Sequence, residues 1–344
     1  MGKERELSNC GFVKTILMLL VILGHACAFW SGHWFTDNPA LPSRGLNALF
    51  EWLNSFHIYA FALVSGYIFT YKINRGGYSE YIPFIKNKVK RLLVPYMFVA
   101  LVWVIPVSEY YFRWDMSYLV KKYVLCINPS QLWFLWMIFG VFAIVWPIRT
   151  IMLKNPAIGW IISIVFYGIG SIGGRIIPNI FCIWNACQYV LFFYIGMRIR
   201  DKREKNELLI TDKVSPIWWI VLDLLIFAIN GALDSRLVIV RVAGIILGLL
   251  SHIVGSVMAW SVLQMLASHF EWKSSKLISG LMPYTMPIYL FHQQIMYFTI
   301  SALNGKVSPF TNASINFVVA LVLSIFISIF LMKWKATRFL IGES

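Results

Sequence analysis

The sequence predicts an all-α, polytopic membrane protein of about ten transmembrane helices with both termini in the cytoplasm. Composition points there first. Of 344 residues 59% are hydrophobic and 13% charged, with a mean hydropathy of +0.70. Soluble domains are about half apolar and about a quarter charged, so no soluble core hides this much apolar surface and lipid must be the solvent. Apolar runs also recur at the length a bilayer demands. A hydrocarbon layer of about 30 Å takes roughly 17–25 residues of helix. Windows of that size fall at approximately 12–30, 49–71, 92–108, 132–148, 156–172, 183–199, 215–231, 240–265, 278–300 and 315–332. Finally, Lys and Arg are shared unevenly between the loops. With the N-terminus inside, 21 lie on the inner side (Lys273 among them) and 8 on the outer (Arg236 among them), with Lys14 set aside in the first window. That bias orients helices in membranes.

The first window also imitates a secretory leader, with basic residues, an apolar stretch and then Ala26-Cys27-Ala28. Glu4 and Glu6 dilute its charged region and its removal would leave an odd number of helices, so retention is expected. The second window opens with Glu51 at its outer end. The third is preceded by the basic run Lys86 to Arg91 on the inner side. The eighth is long, and tilt or a break at Gly255 would accommodate it. Loops are short apart from 31–48, 73–91, 109–131 and 200–214, and no soluble domain, low-complexity tail or internal repeat stands out. The aromatic content of 17%, with 15 Trp, suits rings placed at both interfaces. The net charge of +15 sits mostly in short loops, where it sets topology, so nucleic-acid binding is not expected. Cys10, Cys27, Cys126, Cys182 and Cys187 lack zinc spacing and read as small apolar packing residues. No His, Glu or Cys set has metal-ligand spacing, and no metal is expected.

Ionisable side chains at lipid depth are costly and usually face protein or a wet cavity. Lys14 and His25 are eleven residues apart in the first window, which places them about 20° from eclipsed and roughly 16 Å apart along the axis. Lys14 is then near the cytoplasmic end and His25 near the middle or outer half. His25 serves either as a general base or as a packing hydrogen-bond partner, and Lys14 either lines the same wall or snorkels to the interface. His57 in the second window and His292 in the ninth fall at similar depth; convergence of the three would make a polar chamber opening outward. His33, His252 and His269 read as structural. Asp223, inside the seventh window, needs a buried partner that sequence does not identify. Glu51 reads as an interface residue or an acceptor contact. The run Lys86 to Arg91 suits either ordinary inner-side charge or a phosphate-rich ligand.

Five stretches in order, FVKTILMLLVILGHA (12–26), FHIYAFALVSGYIF (56–69), KVKRLLVPY (88–96), QLWFLWMIF (131–139) and MPYTMPIYLFHQQ (282–294), resemble the motifs of integral-membrane acyltransferase family 3, nearest its fucose 4-O-acetylase-like branch. The likeness spans nearly the whole chain. It implies a single integral-membrane domain in the cell (cytoplasmic) membrane that moves an acetyl group from cytoplasmic acetyl-CoA to a sugar hydroxyl. The acceptor would be a cell-surface or lipid-linked glycan, with glycan-assembly proteins as possible partners. His25 matches the family's essential histidine and would act as general base or acyl carrier. Lys14 stands where the family usually has Arg, keeping the charge without the bidentate fork. Lys88 and Arg91 resemble its Arg-x-x-Arg. These three would hold the phosphates of acetyl-CoA, and Glu51, His57 and His292 would orient the acceptor. No esterase-like domain follows the membrane region here, so the membrane domain is expected to complete the transfer or to pass the acetyl group to a separate protein. The rival from another class is a transporter or flippase for an acyl group or lipid-linked sugar. It explains the helices and charge bias equally well, but lacks support from an inverted repeat.

Overall fold

A chain surrounded by hydrocarbon finds no water for its N–H and C=O groups, so apolar windows must close their hydrogen bonds within helices. The computed structural model describes residues 3–233, 238–269 and 275–343 and has no strand among them; Arg236 and Lys273 of the charge count lie outside the described residues. The main helices are α1 (Lys3–Ala28), α2 (Arg44–Asn54), α3 (His57–Ile73), α4 (Tyr81–Phe112), α5 (Trp133–Lys154), α6 (Pro156–Ile176), α7 (Ile183–Glu204), α8 (Pro216–Ala232), α9 (Val238–His269), α10 (Thr285–Leu303) and α11 (Pro309–Leu331). Seven helical stretches among the described residues are long and apolar enough to cross a membrane. The other three windows fall on shorter helices, α3 and α8 of 17 residues and α10 of 19. Large apolar side chains lie exposed along α6 (Ile161, Ile164, Ile172), α8 (Leu222, Leu225) and α11 (Phe326, Phe330). Contiguous apolar surface of this kind is what lipid covers.

Three expectations need correction. The window 49–71 is not one helix: the chain breaks at Ser55–Phe56, between α2 and α3. There the Ser55 hydroxyl donates to the Trp52 carbonyl at 2.7 Å, satisfying part of the end of α2 locally. Glu51 and His57 therefore sit on different helices. The basic run Lys86 to Arg91 does not precede the third helix but lies inside α4. Its first turns are amphipathic: Phe84 is buried while Lys86, Lys90 and Arg91 are exposed. Finally, α9 continues unbroken through Gly255. A Cβ at Gly255 would lie 2.6 Å from the Phe56 Cβ and 2.8 Å from Asp223 Oδ1, so the glycine permits a close approach instead of a break.

Helix α4 alternates α- and π-helical turns, with π stretches at Val89–Leu93 and Ala100–Val104. Pro95 and Pro106 follow them within the first turn of the next α-segment. Proline removes one backbone donor and crowds the carbonyl four residues earlier; a π turn ahead of it widens the helix at that point. The helix thereby continues through both prolines to Phe112 and delivers Glu109, Tyr110 and Tyr111 at its end.

The chain divides into two compact units, one comprising Met1–Val21, Glu51–Tyr71 and Phe192–Met282, the other Ile22–Phe50, Lys72–Leu191 and Pro283–Ser344. In the first unit α3 and α7 meet backbone to backbone. A Cβ on Gly66 would lie 1.9 Å from the Phe193 carbonyl oxygen, and one on Gly196 1.9 Å from that of Leu63. Membrane helices use small residues in this way to gain packing. In the second unit α4, α5 and α10 pack around Tyr96, Val104, Leu132, Leu135, Leu290 and Phe291, and α10 pairs with α11 across the turn at 304–308. The segment 29–43 is tied down there: Asn304 accepts from the Ala40 N–H at 2.9 Å and donates to the Asn38 carbonyl at 3.1 Å, and the Trp30 indole donates to the Leu41 carbonyl at 3.1 Å.

Gly66→Ala and Gly196→Ala are each expected to lower the stability of the detergent-solubilised protein by about 1–3 kcal/mol through overpacking. Gly168→Ala, where nothing lies within 4 Å of the added Cβ, is expected to leave the melting temperature level or raised. Equal melting curves for all three variants would refute the backbone contact as the reason for the two glycines.

Candidate active site

Helix α10 carries His292-Gln293-Gln294 in an otherwise apolar stretch, and all three side chains are buried. Buried polar groups without water need partners, and each has one within the second unit. Gln294 and Gln131 exchange paired amide hydrogen bonds of 2.6 and 3.0 Å, and Gln131 donates a further one to the Leu290 carbonyl at 3.1 Å. The Tyr289 hydroxyl donates to the Gln131 carbonyl. Gln293 donates to the Tyr297 hydroxyl at 2.7 Å. His292 meets His25: its Nε2 lies 2.7 Å from His25 Nδ1, with the rings 10° from parallel and their centroids 5.0 Å apart.

The partners decide where the hydrogens go. His292 Nδ1 lies 2.8 Å from the Tyr289 carbonyl and 3.3 Å from that of Ile288. Carbonyls only accept, so Nδ1 carries the hydrogen, and in neutral His292 Nε2 holds the lone pair. His25 Nδ1 must then donate to it, which makes His25 Nε2 the basic nitrogen of the pair. His292 thus orients His25 and the helix carbonyls orient His292, an arrangement that would suit general-base chemistry. Trp34 lies against His25 at 5.9 Å between ring centroids, and Tyr297 packs edge-on to Trp34 at 5.2 Å.

Of the residues singled out in the sequence, the structure thus brings His25 and His292 together. Lys14 is half-buried on the part of α1 that belongs to the first unit, and Glu51 is exposed on α2. His57 also belongs to the first unit; it is 3% exposed, with Nδ1 against the Leu53 carbonyl at the helix break. Lys88 holds its ammonium over the rings of Phe142 (3.8 Å), Tyr78 (5.1 Å) and Phe84 (5.3 Å), a cation–π box. Arg91 is exposed on α4. Asp223 finds its partner in the Trp52 indole, which donates to Oδ2 at 2.8 Å. His252 bonds the Ser55 carbonyl at 2.7 Å and stacks on Tyr59, a structural role. The five cysteines are free thiols, all buried. Sequence reasoning missed Gln131, Gln294, Trp34 and Tyr297. The amides had a signal, since a glutamine at lipid depth beside a histidine needs a partner as much as the histidine does.

A family model described as an acyltransferase domain matches residues 11–333. The chain belongs to the acyltransferase 3 family. Comparison with curated proteins and with solved structures gives no match. As a member of that family the protein is a multi-pass membrane acyltransferase. The matched residues include both imidazoles and all three glutamines of the buried cluster.

Gln131→Leu is expected to cost about 1–3 kcal/mol, because it leaves the Gln294 amide buried and unpaired. The double variant Gln131→Leu/Gln294→Leu is expected to cost less than the two single losses added together. Strict additivity in unfolding measurements would show that the two amides do not stabilise each other.

Proposed function

We propose that this acyltransferase moves an acetyl group from cytoplasmic acetyl-CoA to a sugar hydroxyl of a cell-surface or lipid-linked glycan, with His25 as general base. The chemistry is that of the fucose 4-O-acetylase-like enzymes its motifs resemble, and the cytoplasmic membrane is the proposed location. The observation that supports the reading is the His25–His292 contact, in which His25 Nδ1 donates and Nε2 is the proposed proton acceptor. In the proposed step His25 Nε2 takes the proton of the sugar hydroxyl as its oxygen attacks the thioester carbonyl. The C–O bond forms, the C–S bond breaks, and His25 returns the proton to the departing sulfur. His292 accepts the hydrogen bond of His25 Nδ1 throughout and so stabilises the imidazolium between the two transfers.

Donor and acceptor must approach this pair from opposite sides of the bilayer, since acetyl-CoA is cytoplasmic. Lys88 and Arg91 are on the side that the charge bias assigns to the cytoplasm and are proposed to hold the CoA phosphates; Lys14 is proposed as a phosphate contact by itself. Glu51 and His57 remain candidates for the acceptor path, and glycan-assembly proteins are the natural source of the acceptor.

The test is transfer of label from radiolabelled acetyl-CoA by the purified protein in liposomes, with glycan acceptors supplied. His25→Ala is expected to fold and to lose transfer by about 100- to 10,000-fold, the usual weight of a general base. His292→Ala is expected to lose less, because His25 keeps its own lone pair but not its orientation. Lys14→Ala is expected to raise KM for acetyl-CoA. Transfer at the wild-type rate by folded His25→Ala would overturn the proposal.

A further inference from the structure

Within the second unit, the tied-down segment 29–43 and the C-terminal end of α4 enclose an open cleft of about 750 Å³, lined by Thr36, Asp37, Glu109, Tyr110, Tyr111 and Arg113. The charge bias assigns both segments to the outer side of the membrane. The volume falls within the range of roughly 300–1,000 Å³ that ligand clefts occupy. Its walls are held by backbone features already described. Asn304 fixes the segment that carries Asp37. Helix α4 continues past Pro106 and stops at Arg113, whose left-handed backbone (φ +49°) bonds its N–H to the Glu109 carbonyl at 3.0 Å.

The lining has the chemistry of a neutral, polyhydroxylated ligand. Glu109 Oε2 is buried and has no hydrogen-bond partner. A buried carboxylate oxygen left without a donor is costly, and the Glu109 carboxylate, which lines the cleft, is an acceptor available to a ligand hydroxyl. Asp37 offers a second acceptor and Arg113 a fork of donors, both exposed to the cleft's solvent. Two carboxylates with a guanidinium favour neither a phosphate nor a polycation. Tyr110 is 72% exposed, and a ring presented in this way offers an apolar face to the C–H side of a pyranose along with a hydroxyl at its edge. Beside it Tyr111 packs on Phe35 at 5.2 Å and on Tyr297 at 6.0 Å. From Tyr297 the ring contacts continue through Trp34 (5.2 Å) to His25 (5.9 Å), so packed aromatic rings link the wall of the cleft to the proposed base.

We infer that this cleft is the acceptor subsite, in which Glu109, Arg113 and Asp37 hydrogen-bond the hydroxyls of a pyranose-containing glycan while Tyr110 stacks on the ring. The inference rests on the acetyl-transfer reading for its role and on the cleft itself for its binding. The sugar held in the cleft anchors the glycan, and a different sugar unit of the same glycan presents its hydroxyl to His25 Nε2.

Binding and turnover separate the two claims. Methyl glycosides of glucose, galactose, N-acetylglucosamine, rhamnose and fucose serve as probes in saturation-transfer NMR with the full-length protein in lipid nanodiscs. At least one glycoside is expected to bind the wild type. Glu109→Gln and Tyr110→Ala are expected to weaken that binding at least tenfold and to raise KM for an oligosaccharide acceptor in acetyl transfer by a similar factor. Tyr110→Trp, which keeps the platform, is expected to retain binding, as is Tyr118→Ala, an exposed ring outside the cleft. Melting curves matching the wild type exclude misfolding as the cause. No glycoside bound by the wild type, or equal binding by Glu109→Gln and Tyr110→Ala, overturns the subsite. Binding that depends on these residues in a protein that turns over no acetyl-CoA upholds the glycan cleft and removes the acetyl-transfer reading instead.

Discussion

In hydrocarbon an unsatisfied backbone or side-chain polar group costs several kcal/mol, and the organisation of this molecule follows from that cost. The backbone answers it by closing the apolar windows into helices, the window 49–71 into two. Side chains have no such general solution and must find one another. On α10 three consecutive polar residues are forced into one short stretch, and each takes a partner from the same compact unit: His25 from α1, Gln131 from the turn just before α5, Tyr297 from α10 itself. The candidate site is therefore a consequence of the solvent. Once one helix carries buried histidine and glutamine, neighbouring helices must present complementary groups, and chemistry becomes available where the cost of burial has been met by pairing.

The same pressure makes close packing and local irregularity useful. Gly66 and Gly196 let α3 and α7 touch at their backbones, where lipid supplies no hydrophobic drive and dispersion contacts must hold helices together. In α4 the two prolines would ordinarily end or kink a helix, and the π turns ahead of them let it run on to the cleft. The reach of α4 decides which side chains line that cleft.

Much of the fold was legible in the sequence because the bilayer sets a length and demands a composition, and both can be read residue by residue. What escaped were features that composition does not encode. The break at Ser55–Phe56 rests on local hydrogen bonds inside a window that looks uniformly apolar, and the start of α4 is helical because its charged turns have an exposed face. In the site, depth along each helix was readable but facing was not. His25, His57 and His292 were equivalent by depth; only packing shows that His292 faces His25 while His57 turns to the carbonyl of Leu53. Gln131 and Gln294 are 163 residues apart, and no periodicity within a helix signals a pairing between helices. The cleft was less legible still, because Asp37 and Glu109 sit in what reads as two unrelated outer loops.

The choice of a second histidine to hold the first has a physical reason. In soluble hydrolases a carboxylate usually orients the catalytic imidazole, but a carboxylate at this depth would be a buried charge, expensive unless it is paired and fully hydrogen-bonded. Imidazole does the same positional work in a neutral state. His292 is itself fixed by the helix carbonyls of Tyr289 and Ile288, so its orientation requires no further side chain. In the proposed transfer the positive charge on His25 would meet the His292 lone pair toward which its Nδ1–H already points, with Trp34 beside the ring. A charge that exists only during the reaction is then stabilised by groups that carry none at rest, which suits a base placed within the lipid layer.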